Sequence, residues 1–157
     1  MSPNAKRLIV AWLATAIADG IFACILSIGF YHSTFSRLWQ GVASVLLGPS
    51  AMQGGNRTVV IGLLMHFLVA FTWSAIFLYG ALRLQWVRDL VKSPGGIMKT
   101  AALYGPFVWI VMSMAVVPIL VRRLPTFTMR WLVQLIGHIF SVGLPIVAST
   151  AGSVREN

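Results

Sequence analysis

A carboxylate and two imidazoles lie deep inside long apolar stretches of this sequence, as Asp19, His66 and His138. An ionised side chain at the centre of a membrane-spanning helix costs at least ~2.5 kcal/mol, so such residues face a bundle interior or a water-filled cavity. If the helices that carry them form one bundle, the three side chains could meet in a single polar layer.

Hydroxyl and amide side chains extend this predicted layer along two helices. Thr15 lies four residues before Asp19 on the same helical face, and could donate a hydrogen bond to the carboxylate. Gln134 and Ser141 lie four residues before and three residues after His138, so they form a polar stripe with it. The candidate site therefore consists of six residues: Asp19, His66, His138, Thr15, Gln134 and Ser141.

Three uses of such a layer remain open. Polar side chains can hydrogen-bond between helices and only fix their packing. A carboxylate and imidazoles at depth are also typical of a proton or solute path. A haem or metal site held by His66 and His138 is the weakest use, because no ligand motif accompanies the two histidines. We therefore predict no metal and no cofactor.

Catalytic signatures are missing from the sequence. It contains no nucleophile elbow, no zinc-protease helix, no phosphate-binding loop and no dinucleotide fingerprint. Two of the three acidic residues lie outside the apolar stretches, which excludes paired-carboxylate chemistry within them. Cys24 is the single cysteine, so neither an internal disulfide nor a CxxC motif is available. We expect that the protein is not an enzyme.

The elements that must position these groups follow from composition. Of the 157 residues, 58% are hydrophobic and 10% charged, whereas soluble domains carry roughly 25% charged residues. Crossing the hydrocarbon core takes roughly 20 residues of helix, and a helix satisfies its own backbone there. Helices are predicted over about 8–29, 58–82, 100–121 and 131–152. The predicted fold is all-α, a single domain over 1–157 and an integral membrane bundle of four transmembrane helices.

A shorter apolar segment separates the first two long helices. Residues 36–48 predict a helix that begins with Ser36 as N-cap and ends at Gly48-Pro49. This helix is too short to cross a bilayer, so it would lie in the membrane interface or enter the bilayer as a re-entrant piece.

Small residues and prolines predict where helices approach and where they bend. Small side chains let two helix backbones come close, and the predicted packing positions are Ala14, Ala18, Gly20, Gly62, Gly137 and Gly143. Prolines inside the long helices should kink or end them and can create cavities; they are Pro106, Pro118 and Pro145.

The net charge of +9, from 12 Lys and Arg against 3 Asp and Glu, resides at the ends of the apolar stretches. That placement is typical of contacts with anionic lipid headgroups, and no basic groove for nucleic acid is available. With four spans, seven basic residues lie on the side of both termini and five on the other. This bias predicts a multi-pass protein with both termini in the cytoplasm.

Several segments carry a family resemblance, including residues 19–23, 39–49, 62–67 and 138–145. They resemble a family of small uncharacterised bacterial inner-membrane proteins. More distantly they are similar to YagU-like inner-membrane proteins, which also place a histidine after a glycine in the last helix. The resemblance covers about 19–148. It implies a four-helix protein of the bacterial inner membrane and supplies no activity, substrate or cofactor.

The functional prediction from sequence is a non-catalytic accessory or scaffold subunit that packs against a membrane protein partner or a second copy of itself. Near-continuous apolarity and short loops favour it. The alternative is a small proton-coupled or solute-conducting membrane protein that uses the buried Asp and His layer. A haem or metal carrier is the weaker alternative.

Overall fold

The computed structural model describes residues 1–155, and helices form nearly all of this part. In chain order the helices are α1 (Pro3–Phe30), α2 (Phe35–Leu47), α3 (Gly55–Arg83), α4 (Gln85–Leu90), α5 (Pro94–Val121) and α6 (Met129–Val154). A 3-10 segment, Pro49–Gln53, joins α2 to α3. The predicted single domain runs to residue 157, so its last two residues lie outside the described part.

Four of these helices, α1, α3, α5 and α6, are long and apolar enough to cross a membrane. They contain 28, 29, 28 and 26 residues, respectively. The predicted all-α class with four such helices is therefore confirmed.

The long helices begin earlier than the apolar stretches predict. Ser2, Ser93 and Thr128 are the N-caps of α1, α5 and α6, and each side-chain oxygen accepts a backbone hydrogen bond from the first turn. A capped first turn tolerates polar and charged residues. An apolar stretch therefore marks the middle of such a helix and misses its first turn.

The short helix α2 begins after Thr34, whose side chain accepts a hydrogen bond from the Arg37 amide at 3.2 Å. Thr34 is therefore the N-cap, and the prediction of Ser36 was wrong by two residues. The helix ends at Gly48, whose φ of 76° is open to glycine and strained for other residues. Packing of α2 is mainly against α3, and its placement in the interface or in the bilayer stays a prediction.

Three long helices change their winding near the predicted site. π-Helical turns occupy Ile25–Phe30, Met112–Val116 and Ile139–Gly143. The second and third end two residues before Pro118 and Pro145, which have no N–H to donate back along the helix. Pro106, in contrast, lies inside a continuous α-helical segment. Wider turns of this kind occur often at functional sites.

Glycines mark the closest approaches between helices. A β-carbon at Gly62 would overlap the Trp39 carbonyl, and one at Gly143 would overlap the Ala101 carbonyl. At Gly137 the Phe22 ring occupies that space, and Gly20 faces His66. Ala14 and Ala18 are only half-buried, and α1 instead buries Ala11 and Ala16 almost completely. Gly105, against the His138 carbonyl, is a close approach that the sequence did not single out.

The best-packed core lies at one end of the bundle. It joins the second half of α3, α4, the first half of α5 and the second half of α6, around Phe77, Val91, Ala101, Ile146 and Val147. These five side chains are between 0% and 1% exposed.

Candidate functional site

Asp19 connects three of the long helices. On α6, the Ser141 hydroxyl donates a hydrogen bond to Asp19 Oδ1 at 2.9 Å. On α3, His66 Nδ1 lies 3.9 Å from Asp19 Oδ2. The side chains of His66 and Asp19 are 13% and 20% exposed, so the pair lies largely inside the protein.

The His66 ring constrains where protons reside. Its Nε2 lies 2.9 Å from the Ala16 carbonyl oxygen, and because that oxygen can only accept, Nε2 carries a proton. Nδ1 then faces Asp19. The 3.9 Å between His66 Nδ1 and Asp19 Oδ2 is longer than a hydrogen bond, and the two groups lie close enough to form an ion pair when the ring is protonated.

His138 is held by its own helix. Its Nδ1 lies 2.7 Å from the Gln134 carbonyl and donates to it, which leaves Nε2 as the acceptor in the neutral ring. The ring is 7% exposed and lies 4.8 Å from the Trp109 ring, centroid to centroid. Gln134 thus contributes its backbone, and its amide does not line the cavity around the site.

Thr15 does not bond to Asp19 as its spacing predicted. It is 2% exposed, and its hydroxyl has no hydrogen-bond partner within residues 1–155. The i−4 spacing places it on the Asp19 face correctly, but Ser141 from another helix takes the carboxylate oxygen.

A cavity of about 440 Å³ unites these groups. Thr15, Asp19, His66 and His138 all line it. Its wall continues along the second half of α5 to Arg123 and neighbouring residues of the loop before α6, which are exposed to the surroundings. The cavity therefore joins the buried acid–base groups to the surface of the bundle.

The wall of this cavity is largely apolar and aromatic. Three of the six tryptophans line it, Trp73, Trp109 and Trp131. Trp131 Nε1 donates to Ser113 Oγ at 3.0 Å, whereas Trp109 Nε1 is buried without a partner within the described chain. No role in a site was predicted from the sequence for Trp109, Ser113, Trp131 or Arg123. The four-residue spacing of Trp109 and Ser113 was the one available signal.

Metal ligands do not converge in the part of the chain that the structure describes, where no group of three or more His, Cys, Asp or Glu side chains could hold an ion. His66 and His138 each use one ring nitrogen in a hydrogen bond to a backbone carbonyl, so that nitrogen is not free to bind a metal.

A second carboxylate, Asp89, offers a contrast outside the long helices. Its Oδ1 accepts from Lys92 Nζ at 2.7 Å, and this hydrogen bond lowers the pKa of the Asp89 carboxyl. Asp89 is therefore an exposed, paired carboxylate, whereas Asp19 is enclosed between helices.

No family model, curated protein or solved structure matches this chain. The resemblance to small bacterial inner-membrane proteins, and the more distant one to YagU-like proteins, therefore stays a prediction.

Proposed function

We propose that this protein is a small membrane protein that binds a solute in the cavity between its helices and moves a proton at the Asp19–His66 pair. One observation carries the proposal: acid–base groups from α1, α3 and α6 line one cavity of about 440 Å³ that extends to an exposed loop. Small-molecule sites usually have volumes of roughly 300–1,000 Å³.

The proton step follows from which helices hold the pair. Asp19 is on α1 and His66 on α3, so a movement between these helices changes the 3.9 Å separation of Oδ2 and Nδ1. Separation weakens the attraction of Asp19 for a proton on His66, and approach strengthens it. Protonation and helix movement are thereby coupled, as in other proton relays within membranes.

The proposed location is the inner membrane of a bacterium with both termini in the cytoplasm, which the bias of basic residues favours. The accessory or scaffold function, with a membrane protein partner or a second copy, stays a prediction, as do the haem or metal alternative and the absence of catalysis. A scaffold would need the Ser141–Asp19 hydrogen bond for packing, but it would have no use for a cavity lined by acid–base groups.

Proton flux tests the proposal. Purified protein is reconstituted into vesicles that contain a pH-sensitive dye, and a pH gradient that is acidic outside drives protons inward whether or not the step moves net charge. We expect faster acidification with the wild-type protein than with Asp19→Asn or His66→Gln, because each variant removes one partner of the proton-binding pair.

Asp89→Asn is the matched control, since it makes the same chemical change at a carboxylate outside the long helices. It should leave the flux at the wild-type rate. Equal flux in wild-type and Asp19→Asn vesicles, with both proteins folded and inserted, would overturn the proposed function.

A further inference from the structure

The electrostatic balance of the cavity favours an anion. Both oxygens of Asp19 already face protein groups, Oδ1 the Ser141 hydroxyl and Oδ2 the His66 ring. Arg123 also lines the cavity, at the end formed by the loop between α5 and α6. An arginine remains charged under all physiological conditions. Arg123 therefore places a permanent positive charge at the surface end of the cavity.

The hydrogen-bonding groups of the wall favour oxygen acceptors. Thr15 Oγ1 and Trp109 Nε1 are buried donors with no partner in residues 1–155, and both residues line the cavity. Buried polar groups in proteins nearly always have hydrogen-bond partners, so two donors without a partner at one cavity need an explanation. A ligand with acceptor oxygens would satisfy them.

The rest of the wall favours an apolar body. Val69, Val108, Met112 and Val117 line the same space as the three tryptophans. Such a surface gains from contact with an aromatic or branched aliphatic group and offers nothing to a sugar or a polyol.

We propose that the solute is a small organic acid with one carboxylate and an apolar body. This inference rests on the proposed function and specifies its substrate class. Arg123 attracts the carboxylate at the opening, and the donors Thr15 and Trp109 bind its oxygens inside. A proton carried at the Asp19–His66 pair cancels the charge of the anion, so that the loaded protein moves no net charge through the hydrocarbon.

An organic cation is the competing substrate class, because tryptophan faces attract cations. Two observations weigh against it. The oxygens of Asp19 already face Ser141 and His66, and the positive charge of Arg123 lies at the end of the cavity through which a cation would pass.

Binding of three probes of similar shape separates these classes. Benzoate, benzamide and benzylamine are anionic, neutral and cationic, respectively, and each is titrated into the purified protein in lipid nanodiscs. Tryptophan fluorescence reports binding, since three of the six tryptophans line the cavity. We expect saturable binding of benzoate, binding of benzamide weaker by about tenfold or more because it lacks a charge-assisted hydrogen bond, and no saturable binding of benzylamine.

Two neighbouring arginines provide a matched pair of variants. Arg123→Gln should raise the Kd for benzoate by about tenfold or more, whereas Arg122→Gln, one residue earlier and outside the cavity lining, should leave it unchanged. Thr15→Val removes one proposed donor without changing the size of the side chain and should also weaken benzoate binding. Circular dichroism verifies that each variant is folded.

Equal affinity for benzoate and benzamide, or an Arg123→Gln variant that binds benzoate as tightly as Arg122→Gln does, would overturn the inference. Saturable binding of benzylamine in place of benzoate would also overturn it, while the proposed function survives if Asp19→Asn still abolishes proton flux. If benzoate does not bind and proton flux is unchanged in Asp19→Asn, both the inference and the proposed function are overturned.

Discussion

The two ends of the bundle are both built from apolar helices, but they pack differently. At the packed end, around Phe77, Val91, Ala101, Ile146 and Val147, the side chains are almost fully buried. At the cavity end, residues 112–121 of α5 bury no side chain, and the segment Met129–His138 of α6 buries only His138. Apolar composition therefore does not determine how tightly these helices pack.

For the membrane location proposed above, the difference follows from what drives helix association in lipid. Lipid tails solvate apolar side chains as well as a neighbouring helix does, so no hydrophobic force closes a gap between helices. At the packed end Gly143 lets the α5 and α6 backbones touch at the Ala101 carbonyl. At the cavity end the helices present tryptophans, and a π-helical turn, Met112–Val116, precedes Pro118. Bulky rings and irregular turns hold the helices apart there.

Enlarging one alanine at each end should give the largest difference in the free energy of unfolding. Ala101 is 0% exposed, so Ala101→Leu should lower the free energy of unfolding by about 3 kcal/mol, at the upper end of usual overpacking costs. Ala70 lines the cavity, so Ala70→Leu can grow into empty space and should cost less than about 1 kcal/mol. Unfolding in mixed micelles, followed by circular dichroism, measures both.

Ala70→Leu should also weaken probe binding, because it fills part of the cavity. Similar losses of stability in the two variants would mean that the cavity end is as well packed as the other, which would remove the physical basis of the site.

Shortening one valine at each end should give a smaller difference in the free energy of unfolding, with the larger loss again at the packed end. Val147 is 0% exposed, and Val147→Ala deletes two buried methyl groups at a cost of about 1–3 kcal/mol. Val117 is half-buried in the cavity wall, so Val117→Ala should cost less than about 0.5 kcal/mol. The same unfolding measurement applies, and a larger loss for Val117→Ala would reverse the assignment of the two ends.

Replacing two buried threonines by valine should change the free energy of unfolding least, and the two changes should have opposite signs. The Thr150 hydroxyl donates to the Ile146 carbonyl at 2.7 Å, so Thr150→Val should destabilise the protein by about 0.5–1 kcal/mol. The Thr15 hydroxyl is buried without a described partner, so Thr15→Val should stabilise the ligand-free protein by about 1 kcal/mol. Destabilisation by Thr15→Val would indicate that the hydroxyl is already satisfied.

The helices and some of the site could be predicted from the sequence. Asp19, His66 and His138 stand out because ionisable groups are rare in apolar helices, and all three line the cavity. Their partners could not be read in the same way. Helical spacing predicted Thr15 as the hydrogen-bond donor to Asp19. The hydroxyl that donates to this carboxylate in the structure is that of Ser141, 122 residues further along the chain.

The residues at the surface end of the cavity show where prediction from sequence stops. Arg123 is one of several basic residues beside the apolar stretches, and its sequence neighbour Arg122 has the same composition around it. Only the path of the chain after α5 separates the two, because it includes Arg123 in the cavity lining and leaves Arg122 outside it.

By itself, the sequence determined four helices long and apolar enough to cross a membrane, because length and apolarity are local properties of the chain. It also determined that a few acid–base groups must lie inside the bundle, since burial in lipid would be too costly. The tertiary structure alone decided that these groups line one open cavity. That outcome depends on the rotation of each helix about its own axis and on how closely neighbouring backbones approach, and no local pattern encodes either quantity.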